Sequence, residues 1–84
     1  MLENIIKERL ATLNPIELKI IDQSHLHKGH SGNNGGGHFV IHISSLSFEG
    51  KSRMDRHRII YQLMQDLIPQ SIHALSIKAM SPND

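Results

Sequence analysis

Hydrophobic residues recur at helical spacing near the start of the chain. Leu2, Ile6 and Leu10 share one side of a helix and charged residues lie between them, a pattern that predicts an amphipathic helix. Pro15 ends this helix because proline disfavours helical geometry at the residue before it. Residues 16–20 then alternate between apolar and charged side chains, and the segment closes near residues 21–22. That period of two predicts a short, half-buried strand.

The rest of the pattern predicts two further strands and a second helix. Residues 38–46 alternate between apolar and polar or smaller side chains, which is typical of a strand. Ser52, followed three residues later by Asp55, is the signature of a helix start. Pro69 is expected to end that helix near Leu67 or Ile68. Residues 73–79 alternate again and form the third predicted strand.

The order of these elements, αββα(α)β, predicts how the strands pair. Two strands joined by one loop pair antiparallel, whereas a strand, helix, strand unit makes its two strands parallel. Parallel strands begin at the same edge of a sheet, so His73 is expected beside His38 and the second helix is expected to start at the opposite edge. We therefore expect an α+β fold with a three-stranded mixed sheet and helices packed on it.

Composition limits what this chain can be. Its 84 residues are 38% hydrophobic and include no cysteine, which predicts one small domain over residues 1–84 with a polar tail at 81–84. The absence of cysteine excludes a disulfide framework and an iron–sulfur cluster held by the chain's own thiolates. The net charge of +1 makes no case for a nucleic-acid partner. Without a long apolar run or a basic leader, we expect a soluble, cytoplasmic protein.

The loop predicted from about residue 24 to residue 37 has an unusual composition. It reads SHLHKGHSGNNGGG and contains three of the seven histidines, His25, His27 and His30. A loop of this length is typically functional or disordered, and its glycines predict flexibility. Three interpretations stay open: solvated histidines, ligands of a shared metal site, or a separate zinc or copper site on the isolated chain.

Two histidines outside this loop are further candidate metal ligands. With His38 and His73 near the loop, the chain could supply two imidazoles to a metal, too few for a closed structural zinc site. His73 is in line with Leu75 and Ile77 in the predicted strand. Its position therefore first suggests a packed or hydrogen-bonded histidine of the core.

A group of basic residues lies around the predicted start of the second helix. A helix N-terminus attracts anions through its backbone N–H groups, so cations at the same place suggest a phosphate partner. The alternative is a solvated helix surface, partly neutralised by Glu49 and Asp55. The candidate nucleic-acid-binding residues are Lys51, Arg53, Arg56 and Arg58.

No motif for catalysis is complete in this sequence. Gly50-Lys51-Ser52 matches the end of a phosphate-binding P-loop, but the motif also requires glycine at position 45, which is Ser45. The G-x-S-x-G motif of serine hydrolases is absent. We expect that the protein is not an enzyme.

Five segments, in this order, resemble the BolA family: Asp22-Gln23-Ser24-His25-Leu26-His27, His38-Phe39, Phe48-Glu49-Gly50-Lys51-Ser52, Arg56-His57-Arg58 and His73-Ala74-Leu75-Ser76-Ile77. The resemblance extends from the first helix to about Pro82. It implies a single BolA-like domain with an αββααβ fold of the class II KH type. Glycines at G-x-x-G spacing occur only within the predicted loop between the first two strands, and no other segment matches the G-x-x-G loop with which KH domains clamp nucleic acids.

The resemblance also implies a partner and a cofactor. BolA proteins pair with monothiol glutaredoxins, and the pair can share a [2Fe-2S] cluster to which the glutaredoxin contributes cysteine and glutathione thiolates. In this chain His73 matches the family's most characteristic histidine, and the S-H-x-H form of the loop makes His27 the second ligand, with His30 and His38 as competing candidates. The implied role is iron–sulfur trafficking or iron- and redox-linked regulation, and no cofactor is expected on the isolated chain.

The same resemblance supports a second hypothesis. Bacterial relatives with the S-H-x-H loop are described as transcription regulators that affect stress responses and cell morphology. DNA binding through the basic residues at the start of the second helix is therefore the alternative function. The oligomeric state stays open, with a weak homodimer as one alternative.

Overall fold

The computed structural model describes residues 2–24 and 37–84 of the chain. The elements are α1 (Leu2–Ala11), β1 (Glu17–Asp22), β2 (Gly37–Ser44), a 3-10 helix (Leu46–Phe48), α2 (Arg53–Met64) and β3 (Ile72–Met80). The predicted α+β fold is confirmed. Most of the predicted glycine- and histidine-rich loop, including His25, His27 and His30, lies outside the described residues.

The sheet has the strand order β1-β2-β3. β1 pairs antiparallel with β2, and β2 pairs parallel with β3, so both predicted pairings are confirmed. Gly37 lies opposite Ile72, and Ser44 lies opposite Met80. The two parallel strands consequently begin at one end of the sheet and finish together at the other.

Both helices pack on one side of the sheet. The buried apolar side chains come from the helices and from alternate strand positions: Ile6, Leu10, Phe39, Ile41, Ile43, Phe48, Ile60, Met64 and Ile72. Because strand side chains alternate between two faces, the remaining strand positions point away from this core. No helix of the described residues covers that second side, which we call the open face.

The first helix ends earlier than its proline predicts. α1 finishes at Ala11, and the chain then turns through bonds from Leu13 N–H to Leu10 C=O and from Asn14 N–H to Ala11 C=O, each 3.0 Å long. Asn14 has φ of 48°, in the left-handed region that asparagine tolerates better than most residues. The turn at Asn14, placed just before Pro15, directs the chain into β1.

The second helix begins where the sequence predicts. The Ser52 hydroxyl accepts a hydrogen bond of 3.1 Å from the Asp55 N–H, which caps the helix. α2 ends at Met64, and residues 65–71 form turns where the αββααβ order has a further short helix. Pro69 explains the difference, because it lacks an N–H and disfavours helical geometry just before it. Neither described helix is long and apolar enough to cross a lipid bilayer.

Candidate functional site

His38 and His73 lie together where β2 and β3 begin. His38 is opposite Ala74, the residue that follows His73, so their predicted proximity is confirmed. The His38 side chain is half-buried, and its backbone is fixed on both sides: its N–H donates to Ser24 Oγ at 3.1 Å and its C=O accepts from Gln23 N–H at 2.8 Å. We call this region, with Ser24 and Gly37, the histidine end.

His73 is exposed, so the expectation of a packed core histidine is wrong. Gly37 pairs with Ile72 and the next residue, His38, pairs with Ala74, so β3 contains one extra residue at this point. That extra residue is His73. Such an irregularity shifts the alternation of a strand, and Ile72 is fully buried while the next position on the core side is Leu75. The imidazole of His73 therefore faces solvent.

The described residues that flank the histidine-rich segment are anchored at the histidine end. Ser24 accepts the bond from His38 and donates its own N–H to the Asp22 carboxylate at 2.9 Å. Gly37 donates its N–H to Ser71 C=O at 2.9 Å. A Cβ at Gly37 would lie 2.4 Å from the Phe39 ring, so only glycine fits. The chain leaves and re-enters the described fold beside His73.

The described residues of the histidine end provide too few ligands for a metal site of their own. Within residues 2–24 and 37–84, no group of three or more His, Cys, Asp or Glu side chains is placed to hold a metal ion. The whole sequence contains no thiolate donor. An exposed imidazole beside a second histidine nevertheless suits one side of a [2Fe-2S] cluster, as the two histidines of Rieske centres do. The chemistry fits a site that a partner completes.

Arg56 lies at the opposite end of the sheet, as predicted, and the fold itself holds its guanidinium. Nε donates to Lys51 C=O at 2.9 Å, and Nη1 donates to Ala79 C=O at 3.1 Å. The two terminal nitrogens also donate to the Asp84 carboxylate at 2.7 and 2.9 Å. Only 11% of the Arg56 side chain is exposed. Arg56 thus joins the start of α2 to the end of β3 and to the tail.

The tail at residues 81–84 is folded against this region. Hydrogen bonds from the Arg56 guanidinium and from the Ser81 N–H lower the pKa of the Asp84 carboxyl from 3.8 to about 2. Ser81 Oγ donates to the Glu49 carboxylate, which also accepts from the Asn83 amide at 3.2 and 3.3 Å. The predicted polar tail therefore has a structural role at this end.

The four predicted basic residues do not form one surface. Lys51, Arg53 and Arg56 line a depression of about 610 Å³ together with Lys78 and other residues. Arg58 instead pairs with the exposed Asp55 at 3.1 Å and lines a different, shallow depression. We use the name basic end for the first depression.

His57 of α2 and Lys78 of β3 also line the basic end. His57 belongs to the Arg56-His57-Arg58 segment of the sequence, whereas Lys78 is not among the predicted basic residues. The signal for Lys78 was present in the sequence, because the last residues of β3 were expected at the end of the sheet where the second helix starts. The spacing of basic residues along the helix does not indicate Lys78, because this residue lies on another element.

The fold and its two ends define a mixed α+β domain with a three-stranded sheet and two helices on one face. This chain belongs to the BolA family: the family model described as BolA-like protein matches residues 10–84. The family assignment that the sequence motifs suggested is therefore confirmed.

Individual relatives agree with this assignment. The chain is 44% identical to SufE-like protein 1, chloroplastic/mitochondrial, of Arabidopsis thaliana over 92% of its own length, but it spans only 23% of that relative. It is 33% identical to the DNA-binding transcriptional regulator BolA of Haemophilus influenzae, covering 99% of this chain and 80% of the relative. The solved BolA domain of SufE1 from Arabidopsis thaliana superimposes with a TM-score of 0.81 at 46% identity, covering 93% of this chain and 88% of that domain.

Proposed function

We propose that this protein pairs with a monothiol glutaredoxin and supplies imidazole ligands to a shared [2Fe-2S] cluster. The role would be iron–sulfur trafficking or iron- and redox-linked regulation. One observation carries the proposal: His73 is exposed beside His38, at the end of the sheet where the histidine-rich segment is anchored.

The ligand count explains why a partner is required. A [2Fe-2S] cluster needs four ligands, and this chain has no cysteine to offer. Thiolates from the glutaredoxin and from glutathione would complete the set. Neutral imidazoles in place of thiolates lower the negative charge at one iron and raise the reduction potential, as in Rieske centres.

Within this proposal, His73 is the first ligand and His27 is the second, with His30 and His38 as competitors. His27 and His30 lie outside the described residues. His38 already has interactions within the fold and is half-buried, so ligation by its side chain would have to replace or accommodate them. The S-H-x-H motif supports His27 as the second ligand.

The test is a titration of this protein into a glutaredoxin that carries [2Fe-2S] and glutathione, followed by visible circular dichroism. The wild type is expected to produce a new spectrum, and His73→Ala is expected to lose it. His57→Ala is the matched control, because it removes a histidine at the basic end. The proposal is overturned if the wild type leaves the spectrum of the cluster-loaded glutaredoxin unchanged. It is also overturned if His73→Ala produces the same spectrum as the wild type.

The second ligand is assigned by three further variants in the same titration. His27→Ala is expected to alter the spectrum, whereas His30→Ala and His38→Ala are expected to retain it. A loss confined to His30→Ala or His38→Ala would transfer the assignment to that residue and contradict the role of His27.

Nucleic-acid binding is the second candidate function, and one observation favours it. Lys51, Arg53 and Lys78 line a common depression at the basic end, and cations grouped in this way attract phosphates. A relative of this chain carries the name DNA-binding transcriptional regulator. The test is fluorescence anisotropy with labelled DNA at several salt concentrations. Absence of binding even at low salt would contradict this function.

A further inference from the structure

We propose that the open face of the sheet binds single-stranded nucleic acid through its phosphates, along a line of cations that continues into the basic end. This inference deepens the second candidate function and rests on it. In this inference the principal phosphate contacts are residues of the strands and not the helix residues Arg56 and Arg58.

The line begins with a row of three basic side chains across the sheet. Lys19 of β1 lies opposite His42 of β2, and His42 lies opposite Lys78 of β3. All three belong to the alternate positions that face away from the core. Adjacent strands are about 4.8 Å apart, so the row is roughly 10 Å long. Lys19 and Lys78 are exposed and His42 is half-buried.

Within the described strands, no carboxylate lies opposite either lysine of this row. Asp84 lines the same depression as Lys78, but its carboxylate accepts hydrogen bonds from Arg56. Lys19 and Lys78 stand on either side of His42 in this row, so a phosphate bound across it would contact two ammonium groups. Among the described strand positions of the open face, Glu17 is the only carboxylate. Its cross-strand partner is Ser44, so it lies outside the row itself.

Lys78 connects this row to the basic end. It lines the depression that also contains Lys51 and Arg53. The same depression is lined by Ile77, whose side chain belongs to the core side of β3. The depression therefore crosses the free edge of β3, and the cations form a continuous path from β1 to the start of α2.

The two arginines predicted from the sequence contribute less to this path. The Arg56 guanidinium is committed to Asp84 and to two backbone carbonyls. Arg58 is paired with Asp55 and lines another depression. The cations that stay available to an external anion are Lys51 and Arg53, which are exposed, together with those of the strand row.

The shape of the path favours a flexible single strand. A path that crosses the open face and passes around the edge of β3 bends within the width of one small domain, whereas a DNA duplex stays stiff over about 150 base pairs. The described strand positions of the open face include no Phe, Tyr or Trp side chain on which bases could stack. Binding is therefore expected to depend on phosphates, with strong salt dependence and little sequence preference.

The experiment measures the affinity for a fluorescein-labelled oligothymidylate of about 15 nucleotides across a salt series. For single strands, each phosphate contact contributes about 0.7 to the slope of log affinity against log salt. Lys19→Gln and Lys78→Gln are each expected to weaken binding several-fold and to reduce that slope by about 0.7. Because both positions are exposed, neither substitution is expected to alter folding.

Lys7→Gln is the matched control. Lys7 is exposed on α1 and lines a depression with Leu18 and Ile20, on the core side of β1. The substitution removes the same charge from the side of the sheet that carries the helices. It is expected to leave both the affinity and the slope close to their wild-type values, which separates a local contact from a general effect of net charge.

The outcomes distinguish this inference from the function on which it rests. If the wild type binds no DNA at low salt, both are wrong. If it binds but Lys19→Gln and Lys78→Gln behave like Lys7→Gln, DNA binding stands and the open face is wrong. If a duplex of the same length binds as tightly as the single strand, or if polyglutamate competes as well as unlabelled oligothymidylate, the single-stranded occupant is overturned.

Discussion

The two ends of the sheet use their polar side chains in opposite ways. At the histidine end, His73 is exposed and makes no hydrogen bond or ion pair with other residues of the described ranges. At the basic end, Arg56 donates to two backbone carbonyls and to a carboxylate. The difference shows that one end leaves its characteristic side chain exposed to solvent, whereas at the other end the fold itself binds it.

This contrast follows from where each side chain sits in the topology. His73 is the extra residue of β3 and precedes the regular pairing with β2, so no neighbouring strand position covers it. Arg56 lies where α2, the end of β3 and the tail meet, and two backbone carbonyls and the Asp84 carboxylate accept hydrogen bonds from its guanidinium.

The largest expected loss of stability is at Phe48, which precedes α2. Phe48 is fully buried in the 3-10 helix that precedes α2. Phe48→Ala is expected to lower the free energy of unfolding by about 3–5 kcal/mol, because it removes buried apolar contacts and leaves a cavity. Urea unfolding followed by far-UV circular dichroism measures the loss.

Leu46→Ala is the control for Phe48→Ala, since Leu46 belongs to the same 3-10 helix and 62% of it is exposed. Its unfolding curve is expected to stay close to that of the wild type. Similar losses for the two variants would contradict the position of Phe48 in the core.

The second prediction tests whether the Arg56 guanidinium stabilises the fold. Arg56→Gln is expected to lower the urea midpoint by less than Phe48→Ala does, because it breaks the connection between α2, β3 and the tail. Arg53→Gln removes the same charge from an exposed position of the same helix and is expected to leave the midpoint unchanged. Equal midpoints for the two variants would show that Arg56 is as available to ligands as the sequence suggests.

Much of the fold was predictable because it depends on local patterns and general connection rules. The alternation of residues 73–79 and the helix between the strands predict that β3 lies parallel to β2 and that His73 lies near His38, and the strand pairing agrees with both. The cap at Ser52 was equally local, since it joins residues three positions apart.

The parts that could not be predicted depend on contacts between distant residues. The exposure of His73 follows from one extra residue in the pairing of β3 with β2, and alternation within β3 alone predicts the opposite. The commitment of Arg56 depends on Asp84, which is 28 residues away. Helical periodicity also could not show that α2 would stop at Met64.

The third effect is a pH dependence at the basic end. The pKa of Asp84 is about 2 in the folded protein, against 3.8 for an unperturbed carboxyl, because Arg56 and the Ser81 N–H stabilise its charged form. A depressed pKa contributes stability that is complete above about pH 4 and is lost as the pH falls towards 2. Asp84→Asn is therefore expected to be less stable than the wild type at pH 7, and this difference should shrink between pH 4 and pH 2.

Thermal unfolding at a series of pH values measures that difference. The pKa of Asp66 is also lowered, by its hydrogen bond with Arg9, so both proteins lose stability in acid and only the difference between them reports on Asp84. A difference that stays constant from pH 7 to pH 2 would mean that Asp84 is not held by Arg56 in solution.

The smallest expected effect on stability is at the histidine end. Because His73 is exposed and lies outside the regular alternation of β3, His73→Gln is expected to change the free energy of unfolding by no more than about 0.5 kcal/mol. Its neighbour Ile72 is fully buried, and Ile72→Ala is expected to cost about 2–5 kcal/mol. A large loss for His73→Gln in urea unfolding would mean that this imidazole supports the fold as Arg56 does, and would remove the contrast between the two ends.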